Sequence, residues 1–82
     1  MRIALDYDKT YTADNVLWDA FITLAKSRGH EVRIVTMRNE NTESINSAPA
    51  PVIYTARIAK EKCYKADIWI DDNPAWICQD AL

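Results

Sequence analysis

Asp6 and Asp8 stand one residue apart where the apolar run 3–5 stops, in the string DYDKT, and Thr10 closes that string. Ionised carboxylates this close raise one another's pKa unless a cation intervenes. A second acidic pair, Asp71 and Asp72, follows the apolar run IWI, Thr36 ends RIVT, and Thr55 ends VIYT. These are all oxygen donors without a histidine or cysteine beside them, a set that suits a hard cation, Mg²⁺ ahead of zinc. Mg²⁺ commonly takes one or two carboxylates, several waters and a substrate phosphate. Lys60 and Lys62 offer positive charge between the third and fourth runs. Arg38, two residues after Thr36, either touches an anionic substrate or lies in a solvated loop.

Positioning these groups needs strands that end together. Residues 2–6 read as a short buried strand, 30–36 as a second, 52–55 as a third and 66–71 as a fourth. Residues 14–28 read as a helix: Asp14 is placed to cap it, Leu17, Ala20, Phe21, Leu24 and Ala25 recur at helical spacing, and Gly29 stops it. The polar stretch 39–51, with Pro49 and Pro51, reads as a loop holding a short helical turn around 42–46. Residues 56–65 read as a short helix, and Pro74 opens a last one, with Asn73 as its cap. Strands alternating with helices predict an α/β fold, a Rossmann-like three-layer sandwich with a short, mainly parallel sheet of about four strands. Such sheets bind ligands outside the carboxyl ends of their strands, where the hydroxyls and carboxylates fall.

Composition narrows the function further. The 82 residues predict one domain, 49% hydrophobic and 27% charged. The single glycine excludes the glycine-rich P-loop and the dinucleotide fingerprint. A net charge of −2 argues against a general nucleic-acid binder. Cys63 and Cys78 lack metal-ligand spacing and read as reduced, structural residues of a cytoplasmic protein. The apolar runs are too short to span a bilayer, and Asp6 comes too early for a signal peptide. His30 reads as a loop residue, and Trp18, Trp69 and Trp76 as packing residues, with stacking on a substrate ring the alternative for Trp76.

Taken in order, DYDKT, RIVT, a lysine ahead of the fourth strand, and IWIDD resemble the motifs of the haloacid dehalogenase superfamily of phosphohydrolases, from residue 3 to about 74. The resemblance implies a family-like core and an Mg²⁺-dependent phosphomonoester hydrolase that works through an aspartyl phosphate. Asp6 is then the nucleophile and Asp8 the general acid and base. Thr36 and the lysine hold the phosphate, with Thr10 and Arg38 beside them. Asp6, the Asp8 backbone carbonyl, Asp71 and Asp72 hold the metal, Asp72 directly and Asp71 in support. Lys60 is preferred to Lys62 because it is nearer the helix start.

Most members of that family carry a cap domain, and the segments after the first motif and after the second strand are too short for one. Dimerisation is expected to cover an edge or apolar face that a four-stranded core leaves bare. The substrate is a small phosphate ester, a nucleotide or the phosphorylated end of a macromolecule. Rival expectations are a non-catalytic module that binds phosphate and Mg²⁺, and a phosphotransferase or mutase.

Overall fold

A computed structural model of the chain describes residues 1–81. The elements run β1 (Arg2–Leu5), a 3₁₀ turn (Tyr11–Ala13), α1 (Asn15–Ser27), β2 (Glu31–Thr36), α2 (Glu40–Glu43), β3 (Val52–Tyr54), α3 (Lys60–Cys63), β4 (Ile68–Ile70) and α4 (Ala75–Cys78). The four strands form one parallel sheet in the order β3-β2-β1-β4. Ile3 pairs with Val32 on one side and Ile68 on the other, and Leu5 likewise with Ile34 and Ile70.

Side chains alternate across this sheet, so each strand feeds two cores. Ile3, Leu5, Val32 and Ile34 meet Ile22 and Ala25 of α1 on one face. Ala4 and Val35 meet Tyr64, with Ile53 and Trp69 beside them, on the other. Burial on both faces explains why the strands read as apolar runs and not as alternating patterns.

The chain steps outward from β1 to β2 to β3 and then returns to the far side of β1 as β4. That reversal is a topological switch point, and in α/β sheets it opens a crevice at the carboxyl ends of the strands. Here it lies where β1 and β4 stop, with Asp6 after one and Asp71 and Asp72 after the other.

The local chemistry of α1 follows its sequence at both ends. The Asp14 side chain accepts a hydrogen bond from the Leu17 N–H at 3.0 Å, and Gly29 leaves the helix at φ +84°. Its buried face differs from the expected one. Ile22 and Ala25 are buried with Trp18 and Phe21 half-buried, whereas Leu17 and Leu24 are exposed. The stripe is rotated because Trp18 and Phe21, packed edge to face at 5.7 Å, are the side chains long enough to reach over the sheet.

The other departures are also local. The expected helix over 56–65 shrinks to α3 because Ala56 and Arg57 take φ values of 49° and 70°, which no α-helix accepts. Their N–H groups instead bond the carbonyls of Arg38 and Met37 at 3.1 and 3.0 Å. Asn73 does not cap α4; its own N–H bonds Asp71 Oδ1 at 3.0 Å, and Pro74 holds the cap position. Cys63 and Cys78 are free and exposed, so neither packs a core. His30 sits between α1 and β2, its Nδ1 2.8 Å from the terminal amine of Met1. No described helix is long and apolar enough to cross a membrane.

Candidate functional site

The crevice at the switch point has a volume of about 200 Å³, and its walls include Asp6, Asp8, Thr36, Lys60, Asp71 and Asp72. Every strand end but that of β3 contributes. Thr55 stays outside, buried, and donates its hydroxyl to the Met37 thioether at 3.3 Å.

Lys60 is the keystone of the charge arrangement. It starts α3, yet its side chain is 2% exposed and its ammonium lies 2.8 Å from Asp6 Oδ1 and 2.5 Å from Asp71 Oδ2. A lysine is almost never buried this deep without paired charges, and both of its partners are themselves nearly sealed from water. Lys62, on the same short helix, faces elsewhere: its ammonium is exposed and 3.5 Å from Asp80. It therefore contributes nothing to the crevice. Asp80 also accepts from the Ala59 N–H at 2.7 Å, which fixes the start of α3 and so the aim of Lys60.

Thr10 ties the two acidic strand ends together. Its hydroxyl oxygen lies 3.1 Å from Asp6 Oδ2 and 3.1 Å from Asp72 Oδ1, and it accepts the Asp72 N–H at 3.1 Å. One hydroxyl carries one proton, so it serves one of the two carboxylates at a time. The turn that delivers Thr10 folds back on β1, with the Tyr11 N–H on Asp6 O at 3.2 Å. Lys9, at φ 64°, makes the tight bend within it.

Asp6, Asp71 and Asp72 each offer a carboxylate oxygen within 4.8 Å of the others. The donors are hard and anionic, and the spacing fits a small divalent cation held by oxygen ligands. Asp71 is committed to Lys60 and the Asn73 N–H, whereas Asp72 is exposed and turned toward Thr10.

Asp8 is held apart from this cluster. Arg38 clamps it with two hydrogen bonds, Nη2 to Oδ1 at 2.7 Å and Nε to Oδ2 at 3.0 Å. The guanidinium also lies over the Tyr7 ring at 5.1 Å, Tyr7 stacks on Tyr11 at 5.7 Å, and the Tyr11 hydroxyl donates to Asp19 of α1 at 2.6 Å. Thr36 is buried at the end of β2, and its hydroxyl oxygen accepts the Arg38 N–H at 3.3 Å.

The electrostatics of the two aspartates differ in direction. Burial pushes the Asp6 carboxyl up to about 6, against the pull of Lys60 and with a further push from Asp72. The hydrogen bond shared with Asp6 holds Asp72 below its ordinary value. The Arg38 clamp holds Asp8 below the usual carboxylate range. Of the two, Asp6 takes up a proton at the higher pH, and at neutral pH, above about 6, it too is mostly ionised.

Lys9 and Met37 also line the crevice, together with Asn73, expected to cap α4, and Trp76, expected to pack or to stack on a substrate ring. Proximity to DYDKT, RIVT and IWIDD was the only available signal for the first three. The clamp of Arg38 on Asp8 spans thirty positions and leaves no local pattern. No protein-family model matches the chain, and neither a curated protein nor a solved structure matches it.

Proposed function

We propose that this protein is an Mg²⁺-dependent phosphomonoesterase of the haloacid dehalogenase type, without a cap, in which Asp6 carries the phosphoryl group as an aspartyl phosphate. The observation that carries the proposal is the contact of one buried lysine with both Asp6 and Asp71, the ends of two different strands at one switch point. Only a 3₁₀ turn stands between the first aspartates and α1, and only α2 between β2 and β3, in keeping with an open site.

A bound Mg²⁺ supplies positive charge that lowers the cost of bringing an anionic ester to an anionic nucleophile. Asp6, Asp72 and the Asp8 carbonyl would hold it, with Asp71 and Lys60 fixing the frame. Asp6, ionised above about pH 6 and paired with Lys60, serves as the nucleophile. Lys60, the Thr36 hydroxyl and Arg38 receive the phosphoryl oxygens, whose charge must be met by fixed donors. Arg38 exchanges the Asp8 carboxylate for the substrate, and Asp8, released, takes a proton from solvent. As Asp6 attacks phosphorus, the phosphorus–oxygen bond to the leaving group breaks and Asp8 gives that oxygen its proton. Asp8, a carboxylate again, then takes a proton from a water whose oxygen attacks phosphorus; the bond from Asp6 to phosphorus breaks, inorganic phosphate leaves, Asp6 is a carboxylate again, and Asp8 returns its proton to solvent.

The test is release of inorganic phosphate from a panel of phosphate esters with Mg²⁺, with EDTA, and by Asp6→Asn. Release that requires Mg²⁺ and Asp6 supports the proposal. Undiminished release by Asp6→Asn, or none from any ester, contradicts it.

A further inference from the structure

We infer that the substrate of this site, on the phosphatase reading above, carries a planar ring next to its phosphate, and that Trp76 is the residue that selects it. The crevice encloses about 200 Å³, below the roughly 300–1,000 Å³ of pockets that enclose a whole small molecule. It therefore takes the phosphoryl group, and the leaving group must lie across the rim. The polar floor is spoken for: Lys60 bridges Asp6 and Asp71, and Thr10 bridges Asp6 and Asp72.

Beyond those bridges the crevice offers the leaving group an indole and a thioether beside the polar side chains of Asp8, Lys9 and Asn73. Trp76 and Met37 are the two large apolar side chains lining the crevice, and both are half-buried. Met37 follows β2 and Trp76 lies in α4 beyond β4, so they flank Asp6 from opposite sides of β1. The Met37 thioether accepts the Thr55 hydroxyl at 3.3 Å, and the backbone N–H of Trp76 bonds the Asn73 carbonyl at 3.2 Å in the turn that opens α4. A ring gains from an indole face and a polarizable sulfur, contacts that a polyhydroxyl leaving group, limited to the polar Asp8, Lys9 and Asn73 of the same crevice, does not use.

The experiment compares adenosine monophosphate, phenyl phosphate and glycerol phosphate, with the protein in Mg²⁺. Base–aromatic stacking is worth roughly one to two orders of magnitude in affinity. Wild type is expected to favour the two ring-bearing esters by about tenfold or more in kcat/KM. The ratio of kcat/KM for adenosine monophosphate over glycerol phosphate falls by about the same factor in Trp76→Leu and is restored in Trp76→Phe. A parallel fall for phenyl phosphate identifies any adjacent ring as sufficient; a fall confined to the nucleotide identifies its base. Equal kcat/KM for all three esters, or an equal fall for all three in Trp76→Leu, overturns the inference. If no ester turns over, the phosphatase proposal fails by itself, and calorimetric titration with adenosine monophosphate and with inorganic phosphate decides the subsite. A nucleotide preference lost in Trp76→Leu upholds it, and equal preference in both proteins overturns it.

Discussion

Arg38 and Asp8, one of the residues lining the crevice, form a two-point ion pair at 2.7 and 3.0 Å, and the proposed chemistry needs them apart. Both side chains are substantially exposed, 30% and 52%, so the pair adds no more than about 1 kcal/mol to stability. Its consequence is electrostatic: the guanidinium holds the Asp8 carboxyl below its ordinary range for as long as the two stay paired.

Arg38→Ala is expected to separate these two effects. Stability changes by less than about 1 kcal/mol in urea denaturation. The Asp8 carboxyl rises toward its ordinary range, as followed by carbon NMR titration. Hydrolysis loses about 10- to 100-fold in kcat/KM, because charge-assisted bonds to the phosphate disappear. Arg38→Lys recovers little, since an ammonium cannot reproduce the fork. Full activity in Arg38→Ala would remove Arg38 from the phosphate site.

Lys60→Ala is expected to behave differently. It leaves two nearly buried carboxylates facing each other, and breaking such a pair costs about 3–5 kcal/mol. Urea denaturation measures the loss, and a change below about 1 kcal/mol contradicts the geometry described. The same substitution at Lys62, exposed and 3.5 Å from Asp80, changes stability by about 0.5 kcal/mol or less.

The Asp6 carboxyl makes stability pH-dependent. Because its folded value is raised, its stabilising effect is complete below about pH 3.8 and is lost as pH rises through about 6. In EDTA, wild type minus Asp6→Asn stability should therefore fall between pH 4 and 7, by up to about 3 kcal/mol. Thermal melts of the two proteins across that window check it. A difference independent of pH means that Asp6 is not held in its raised state.

A divalent cation should counteract that loss. Mg²⁺ at 100 times its dissociation constant stabilises the folded chain by about 2.7 kcal/mol. The expected signature is a melting temperature raised by Mg²⁺ at pH 7.5, raised less at pH 5 where Asp6 is protonated, and raised least in Asp72→Asn. No shift in wild type at any Mg²⁺ concentration contradicts a metal site at Asp6, Asp71 and Asp72.

Much of the fold was legible because it is written in local patterns. Apolar runs marked all four strands, Asp14 and Gly29 bounded α1, and the strand ends named the residues that meet at the crevice. The choice of Lys60 over Lys62 also followed from position alone, since a helix start faces the strand ends. What stayed hidden depends on partners distant in sequence. The rotated face of α1 is set by how Trp18 and Phe21 reach the sheet. The truncation of α3 is set by hydrogen bonds from 56 and 57 to the loop after β2. The Arg38 clamp on Asp8 comes from residues thirty positions apart, and no spacing rule encodes it. The protonation pattern was hidden for the same reason, since it depends on burial and on that clamp.

Trapping the phosphoryl group tests the central claim most directly. Wild type is mixed with a ring-bearing ester labelled in its phosphate, in Mg²⁺, quenched in acid within the first turnover, and cleaved into peptides. The label is expected on the peptide carrying Asp6, sensitive to hydroxylamine as an acyl phosphate is, and absent from Asp6→Asn. Phosphate release without labelled Asp6, or with the label on another residue, would contradict a nucleophilic role for Asp6.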